Sequence, residues 1–302
     1  MQVSTEQFFR HQNENMVDLQ TKISNLQNKI ATGKQLELPS DNPVAFSDAA
    51  RYKHQLSKLE QYSRNIDNVN QRLSAEESTL SQFANVLTRV QELAIQGAND
   101  TLSVEDRKSI ALEIDLLRDE LIGLANSKDN LGGAVFGGYR TEGEVFVKRD
   151  NGVVDYVGDT NIAQVEVAEG IFAPSSNNGQ ATFMQVTVPE REGSHSVFSL
   201  LSETIAALRK GEAGKEHLNG LAAALDHVVN ARVVSGTRLG ALSTQKDIIE
   251  NDKTNSKVLL SSVEDTDIEQ VVSQLKQKML SLEASQTAFV KIAELSLFNY
   301  MR

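Results

Sequence analysis

No proline or glycine interrupts the chain between Pro43 and Gly97, and apolar residues recur through this span at alternating intervals of three and four: Ile66, Val69, Leu73, Leu80, Phe83, Leu87, Val90 and Ala94. Tyr52, Leu59 and Tyr62 carry the rhythm backwards, and one d position, Glu76, is polar. A continuous helix here would be roughly 80 Å long at 1.5 Å per residue, several times the ordinary length. Its apolar stripe is a narrow a/d seam rather than a broad face, so it needs other helices along it, not one large core. Composition points the same way. Aromatic residues are only 5% of the 302 and tryptophan is absent, whereas aromatics usually dominate globular cores.

Two later segments suit that role. Ser103 with Asp106 reads as a helix start, followed by Ile110, Ile114, Leu117, Leu121 and Leu124 and an end near Asn126-Ser127. The short connection from Gly97 folds this helix back antiparallel, but it covers less than half of the span. The remainder suits a long helix carrying Leu218, Leu221, Leu225, Val228, Leu239, Leu242, Ile249, Leu260 and Val263, with polar Arg232, Ser235, Lys246 and Lys253 in its seam. Before it, Phe198, Leu201, Ile205 and Leu208 predict a shorter helix, closed by "KGEAGK".

From Leu131 to Gly193 the texture changes to glycines, alternation and β-branched residues. "EVFVKRDNGVVDYVG" predicts a hairpin turning at Asn151-Gly152. "AQVEVAEG" and "ATFMQVTVPE" read as two more strands, and "APSSNNGQ" and "EREGSHS" as loops.

The two ends mirror each other. Met16, Leu19, Ile23, Leu26 and Ile30 form one narrow seam, and Ile268, Val272, Leu275, Met279, Leu282 and Phe289 another. They most simply pair with each other. Each is set off by a polar break. In "ATGKQLELPSDNP", Gly33 suits a helix end, followed by Lys34 and Pro39; Ser40 or Asp41 suits a cap, and Pro43 a first turn. In "VEDTD", after Glu264, either Asp265 or Asp267 suits the cap of the last helix. The fold class is thus mainly α with a small β-rich module: a long antiparallel helical rod, paired coiled-coil termini and an inserted β head. Three domains follow: 1–40 with 265–302 for assembly, 41–140 with 194–264 as the rod, and 141–193 as the head.

Little in the chain points to chemistry. Gly33-Lys34 lacks the earlier glycine of a phosphate loop, since Asn28 stands there. Asp265, Asp267 and Glu269 begin like a calcium loop, but Gln270 and Lys276 occupy the positions that need Gly and Glu. The five histidines have no metal-sharing spacing on one helix, and cysteine is absent. No catalytic residue, metal or cofactor is expected, and the chain is not expected to be an enzyme. A net charge of −11 argues against nucleic acid and anionic lipid as partners. No apolar run is long enough to insert in a membrane. The first residues, "MQVSTEQFFRHQNENM", lack the basic and apolar regions of a cleaved secretory signal.

These residues resemble the flagellin superfamily along essentially the whole chain. The start (Met1, Val3, Ser4, Thr5, Phe8), the segment "TGKQLELPSDNPVAFSDA", the turn "VFGGYRTEGEVF" with Phe136, Gly138 and Tyr139, "VEDTD" at 263–267 and the terminal "LSLFNYMR" are similar to that superfamily's motifs in order and spacing. Asn42 departs from the usual Asp. Pro39, Pro43 and the Gly-Tyr-Arg-Thr turn favour its hook–filament junction branch; filament flagellin is the alternative. The resemblance implies a structural subunit outside the cell, in the bacterial flagellum, joining hook to filament. It implies a ring of about eleven copies held by a heterologous interface. The implied partners are the first hook–filament junction protein, flagellin, and an export chaperone on the C-terminal helices. It also implies flagellar type III export, unfolded and without signal cleavage, and terminal helices lining the central channel.

Overall fold

The computed structural model describes residues 2–36, 38–130, 132–140, 142–150, 152–189 and 191–300, with side chains left out for 2–6 and 294–300. Met1, Glu37, Leu131, Thr141, Asn151, Glu190, Met301 and Arg302 of the segments above lie outside the described residues, as do the side chains of Val3, Ser4, Thr5 and 295–300. The protein is mainly helical. In chain order the elements are α1 (Gln2–Thr32), α2 (Pro43–Gly97), α3 (Val104–Ala125), β1 (Phe146–Lys148), β2 (Val154–Tyr156), β3 (Gln164–Ala168), β4 (Ile171–Pro174), α4 (Gly179–Phe183), β5 (Val186–Thr187), β6 (Ser194–His195), α5 (Val197–Arg209), a 3₁₀ turn (Lys215–His217), α6 (Leu218–Glu264) and α7 (Ile268–Tyr300). Two compact units divide them: Met1–Lys58 with Asp252–Arg302, and Leu59–Asn251.

In the second unit α2 carries the expected seam, with Ile66, Val69, Leu73, Leu80, Phe83, Leu87 and Val90 all buried. Ser103 and Asp106 form the expected capping box at the start of α3. The reversal is tied by Arg107, whose guanidinium donates to the carbonyls of Gly97, Asn99 and Gly211. Arg89 then meets Glu113 at 2.9 Å, and Thr79 lies 3.4 Å from Ser127, so α3 runs back antiparallel along α2. Two of the four polar seam positions of α6 pair here with carboxylates on α2. Arg232 bonds Glu77 and Lys246 bonds Asp67, both at 2.6 Å.

Composition misleads about the core. Five of the eleven phenylalanines gather where α2, α3, β1, α4 and α5 meet. Phe183 is their hub, with ring centroids 4.6 Å from Phe83, 4.9 Å from Phe136 and 5.4 Å from Phe146. A low aromatic content says nothing about placement, and here the tertiary fold concentrates rings in one spot.

The β segments form three separate two-stranded antiparallel sheets. The first is the expected hairpin, pairing Phe146 with Tyr156 and Lys148 with Val154, and Gly152 at its turn has φ +80°. The second pairs β3 with β4, a strand of Ile171–Pro174 that takes in only the first two residues, Ala173 and Pro174, of the expected loop "APSSNNGQ". The inward side chains of this hairpin, Val165, Val167 and Ala173, pack on Tyr62, Ile66, Val69, Leu73, Leu239, Leu242 and Ile249. "ATFMQVTVPE" is not one strand. Asn178 Oδ1 accepts from the Gln180 and Ala181 amides and starts the short α4, a local cap that overrides alternation. Among the described residues of that segment, strand pairing is confined to Val186–Thr187, which meets Ser194–His195 inside the expected loop "EREGSHS".

Candidate assembly site at the paired termini

The first unit holds the two terminal seams and both polar breaks. α1 and α7 pack against each other. Phe9 and Phe289 meet edge to face with centroids 5.3 Å apart. At the other end of the pair, Lys34 and Asp265 form an antiparallel bridge. The Gln35 amide donates to the Glu264 carbonyl at 2.7 Å, and the Thr266 amide to the Gly33 carbonyl at 2.9 Å. Counted in heptads from the Phe9–Phe289 contact, this antiparallel register puts Met16 at the level of Leu282 and Ile23 at the level of Leu275.

On α1 the half-buried positions are Phe9, Met16, Leu19, Ile23, Leu26 and Ile30, with Gln12 and Lys29, so the expected seam is present and starts one heptad earlier. Phe9 lies seven residues before Met16, a signal the heptad spacing already carried. On α7 the half-buried positions are Val271, Val272, Leu275, Lys278, Leu282, Ser285, Phe289 and Ala293. Two expected members stand outside the seam: Ile268 is 44% exposed and Met279 51% exposed. The helix phase is set by Leu275, Leu282 and Phe289, and that phase turns Lys278 rather than Met279 toward α1. The lysine's aliphatic stem can lie along such a seam with its ammonium in water. Ile268 opens the helix, ahead of the packed turns. Among the described residues of α1 and α7, none is fully buried.

The breaks are built as a joint. Gly33 has φ +69° and donates to Lys29, the left-handed helix end expected there. The Asp41 amide donates to the Leu38 carbonyl, and Asp41 Oδ2 accepts from the Leu38 amide, closing a turn over Pro39 and Ser40. The cap of α2 is therefore Asn42, not Ser40 or Asp41: its Oδ1 accepts from the Ala45 amide at 3.1 Å, with Pro43 in the first turn as expected. Asp267, rather than Asp265, caps α7 through the Gln270 amide. Asp265 instead accepts from Ser261 at the end of α6.

Glu264 ties the joint together. Its Oε1 accepts from Lys34 Nζ at 2.7 Å and from Lys53 Nζ at 2.8 Å. Sequence spacing held no sign of Lys53, which reaches Glu264 only through the fold. Burial alone would raise the Glu264 carboxyl, but the hydrogen bonds from Lys34 and Lys53 outweigh it and leave the carboxyl below its ordinary value of 4.5. The same bond holds Lys34 above its ordinary value. A depressed carboxyl stabilises the folded joint above its unfolded pKa, and that stability is lost as pH falls through the folded pKa. Acidification through the folded pKa, below 4.5, is thus expected to cut amide protection at Gln35 and Thr266, and Glu264→Ala to cut it about tenfold at neutral pH. Hydrogen exchange read by NMR checks both; protection that ignores pH and substitution would remove Glu264 from the joint.

In the second unit, the turn leading into the β segments places its three expected residues differently. Phe136 is buried against Phe183, whereas Tyr139 is 58% exposed. Gly138 has φ +64°, and a Cβ there would stand 2.2 Å from the Asp159 carbonyl. The Tyr156 hydroxyl lies 2.9 Å from the Phe136 carbonyl and 2.8 Å from the Asp159 carbonyl, its one proton shared between them, and burial together with the Asp159 charge pushes it up to about 12. Among the described residues no group of three or more His, Cys, Asp or Glu is placed to hold a metal ion, and no helix is long and apolar enough to cross a membrane.

Residues 3–141 match the family model of the bacterial flagellin N-terminal helical region. The flagellar hook-associated protein 3 of Salmonella typhimurium is 30% identical over 320 residues, covering 100% of both chains. That of Escherichia coli K12 is 30% identical over 317 residues, covering 99% of each. Among solved structures, a putative flagellar hook-associated protein from Vibrio parahaemolyticus superposes with a TM-score of 0.67 at 23% identity, over 74% of this chain and 100% of that one.

Proposed function

This chain belongs to the flagellar hook-associated protein 3 family, and from that premise we propose that it is a structural subunit of the ring joining the hook, through the first junction protein, to the flagellin filament. The observation that carries the proposal is the incomplete terminal pair. A two-helix coil with no fully buried residue among those described leaves its apolar surface for other chains to finish. Ile268, Met279 and Val290, all exposed, recur at intervals of three turns along one side of α7, a stripe suited to further helices. Residues 1–40 with 265–302 are then the assembly domain, 41–140 with 194–264 the rod and 141–193 the outward head. About eleven copies close the layer through a heterologous contact. The chain travels by flagellar type III export, escorted by a chaperone on its C-terminal helices.

The match of residues 3–141 to a flagellin model favours a second reading, filament flagellin itself. Deleting the gene separates the two. A junction subunit's loss is expected to leave hooks without filaments and flagellin shed into the medium. Hooks capped by junction proteins with no shed flagellin would favour the filament reading instead.

A further inference from the structure

The polar d position of α2 has a built environment. Glu76 is completely buried, and three donors converge on its carboxylate. The Asn177 amide donates to Oε2 at 2.7 Å, while Asn177 Nδ2 and Ser235 Oγ both donate to Oε1, the latter at 2.6 Å. Arg238 holds Asn177 from the other side, its Nη1 donating to Asn177 Oδ1 at 2.6 Å and to the Ser176 carbonyl at 3.4 Å. Ser175, Ser176 and Asn177 are themselves buried and connect β4 to the Asn178 cap of α4. One carboxylate on α2 thus binds α6 and the segment that joins the second hairpin to the aromatic core.

An aliphatic residue at this position would complete the seam. Burying a carboxylate is costly and is tolerated only when its acceptor sites are filled. Apolar seams also permit sliding, whereas directional bonds do not. We infer that Glu76 is a positioning residue that locks the 175–177 segment, and with it the β3–β4 hairpin, in register on the α2–α6 pair.

The charges around Glu76 are few. Arg238 of α6 favours the ionised form. Arg72, one turn earlier on α2, donates to the Ala134 carbonyl and faces Asp129. Glu77 is paired with Arg232, and the 175–177 segment brings no charge. Burial dominates and raises the carboxyl above its ordinary 4.5, with the donors offsetting only part. A raised carboxyl destabilises the folded form increasingly as pH climbs from the unfolded value through the folded one.

The test uses the full chain with Glu76→Gln, Glu76→Leu and Asn177→Ala. Exchange of the Asn177 amide is expected to rise about tenfold or more in Glu76→Gln, which keeps shape but cannot accept on both atoms. In Glu76→Leu, loss of protection is expected to spread through 164–174 while α2 and α6 stay protected. The melting temperature of Glu76→Gln relative to the unsubstituted chain is expected to rise from pH 4.5 toward about pH 7. Unchanged protection at 164–177 in both Glu76 variants overturns the lock. Should Glu76→Leu fail to fold, Asn177→Ala reports on the same hairpin, and unchanged protection there is equally decisive.

Discussion

Leu282→Asp is expected to abolish incorporation into the flagellum while leaving the second unit folded. Leu282 sits half-buried in the α7 seam, at the level of Met16 in the register that Phe9–Phe289 and Lys34–Asp265 define. A carboxylate there is set into an apolar strip, and Lys278, one turn earlier on the same seam, offsets only part of a cost of about 2 kcal/mol. A pair of terminal helices with no deeper core has little stability to lose. The core residues of the second unit, from Leu80 to Val228, include no position of α1 or α7, so its thermal transition should not move. Met279→Asp is the control within the free chain. Its side chain is already half in water, so helicity of the pair should persist. Electron microscopy of hooks, with circular dichroism of the purified chain, checks the result. Filaments of normal number and length on Leu282→Asp cells would mean that the α1–α7 seam is not the assembly element.

Phe183→Ala carries the largest expected loss of stability. The ring contacts Phe83, Phe136, Phe146 and Phe198 and is fully buried. Truncation removes the hub of the cluster and leaves a cavity the surrounding rings cannot fill. Losses of about 3–5 kcal/mol are typical. For a unit of this size that lowers the melting temperature by roughly 10 °C. Differential scanning calorimetry measures it directly. A shift below about 2 °C would mean that the rings close over the gap and that Phe183 is not a hub. Because α4 is a five-residue helix that exists through its Asn178 cap, Asn178 is legible as the residue that delivers Phe183 to the core.

What could be read from the chain is what depends on near neighbours. The bounds of α2 follow from an unbroken heptad run and from Pro43 and Gly97. The Ser103 box, the left-handed Gly33 and the turn at Gly152 are likewise local, since caps and positive φ are satisfied within a few residues. The pairing of α1 with α7 was also legible, because two isolated seams of similar length have few other partners. Local reading failed where two local signals competed. At 179–187 an asparagine cap met an alternating pattern and won for one turn. At Asn42 the cap lay one residue beyond the candidates, because Asp41 was already engaged in closing its own turn.

The amino-acid sequence by itself determined the long helices, their approximate ends and most of the seams they bury, because hydrophobic periodicity and capping act over a single turn or heptad. Only the tertiary structure decided that Lys278 and not Met279 faces α1, that five scattered phenylalanines share one core, and that Glu264 gathers Lys34 and Lys53. It also decided why Glu76 interrupts an apolar seam: its partners, Asn177 and Ser235, lie more than a hundred residues away along the chain. Helix phase, desolvation and long-range hydrogen bonds depend on which surfaces meet, and no spacing within one segment records that.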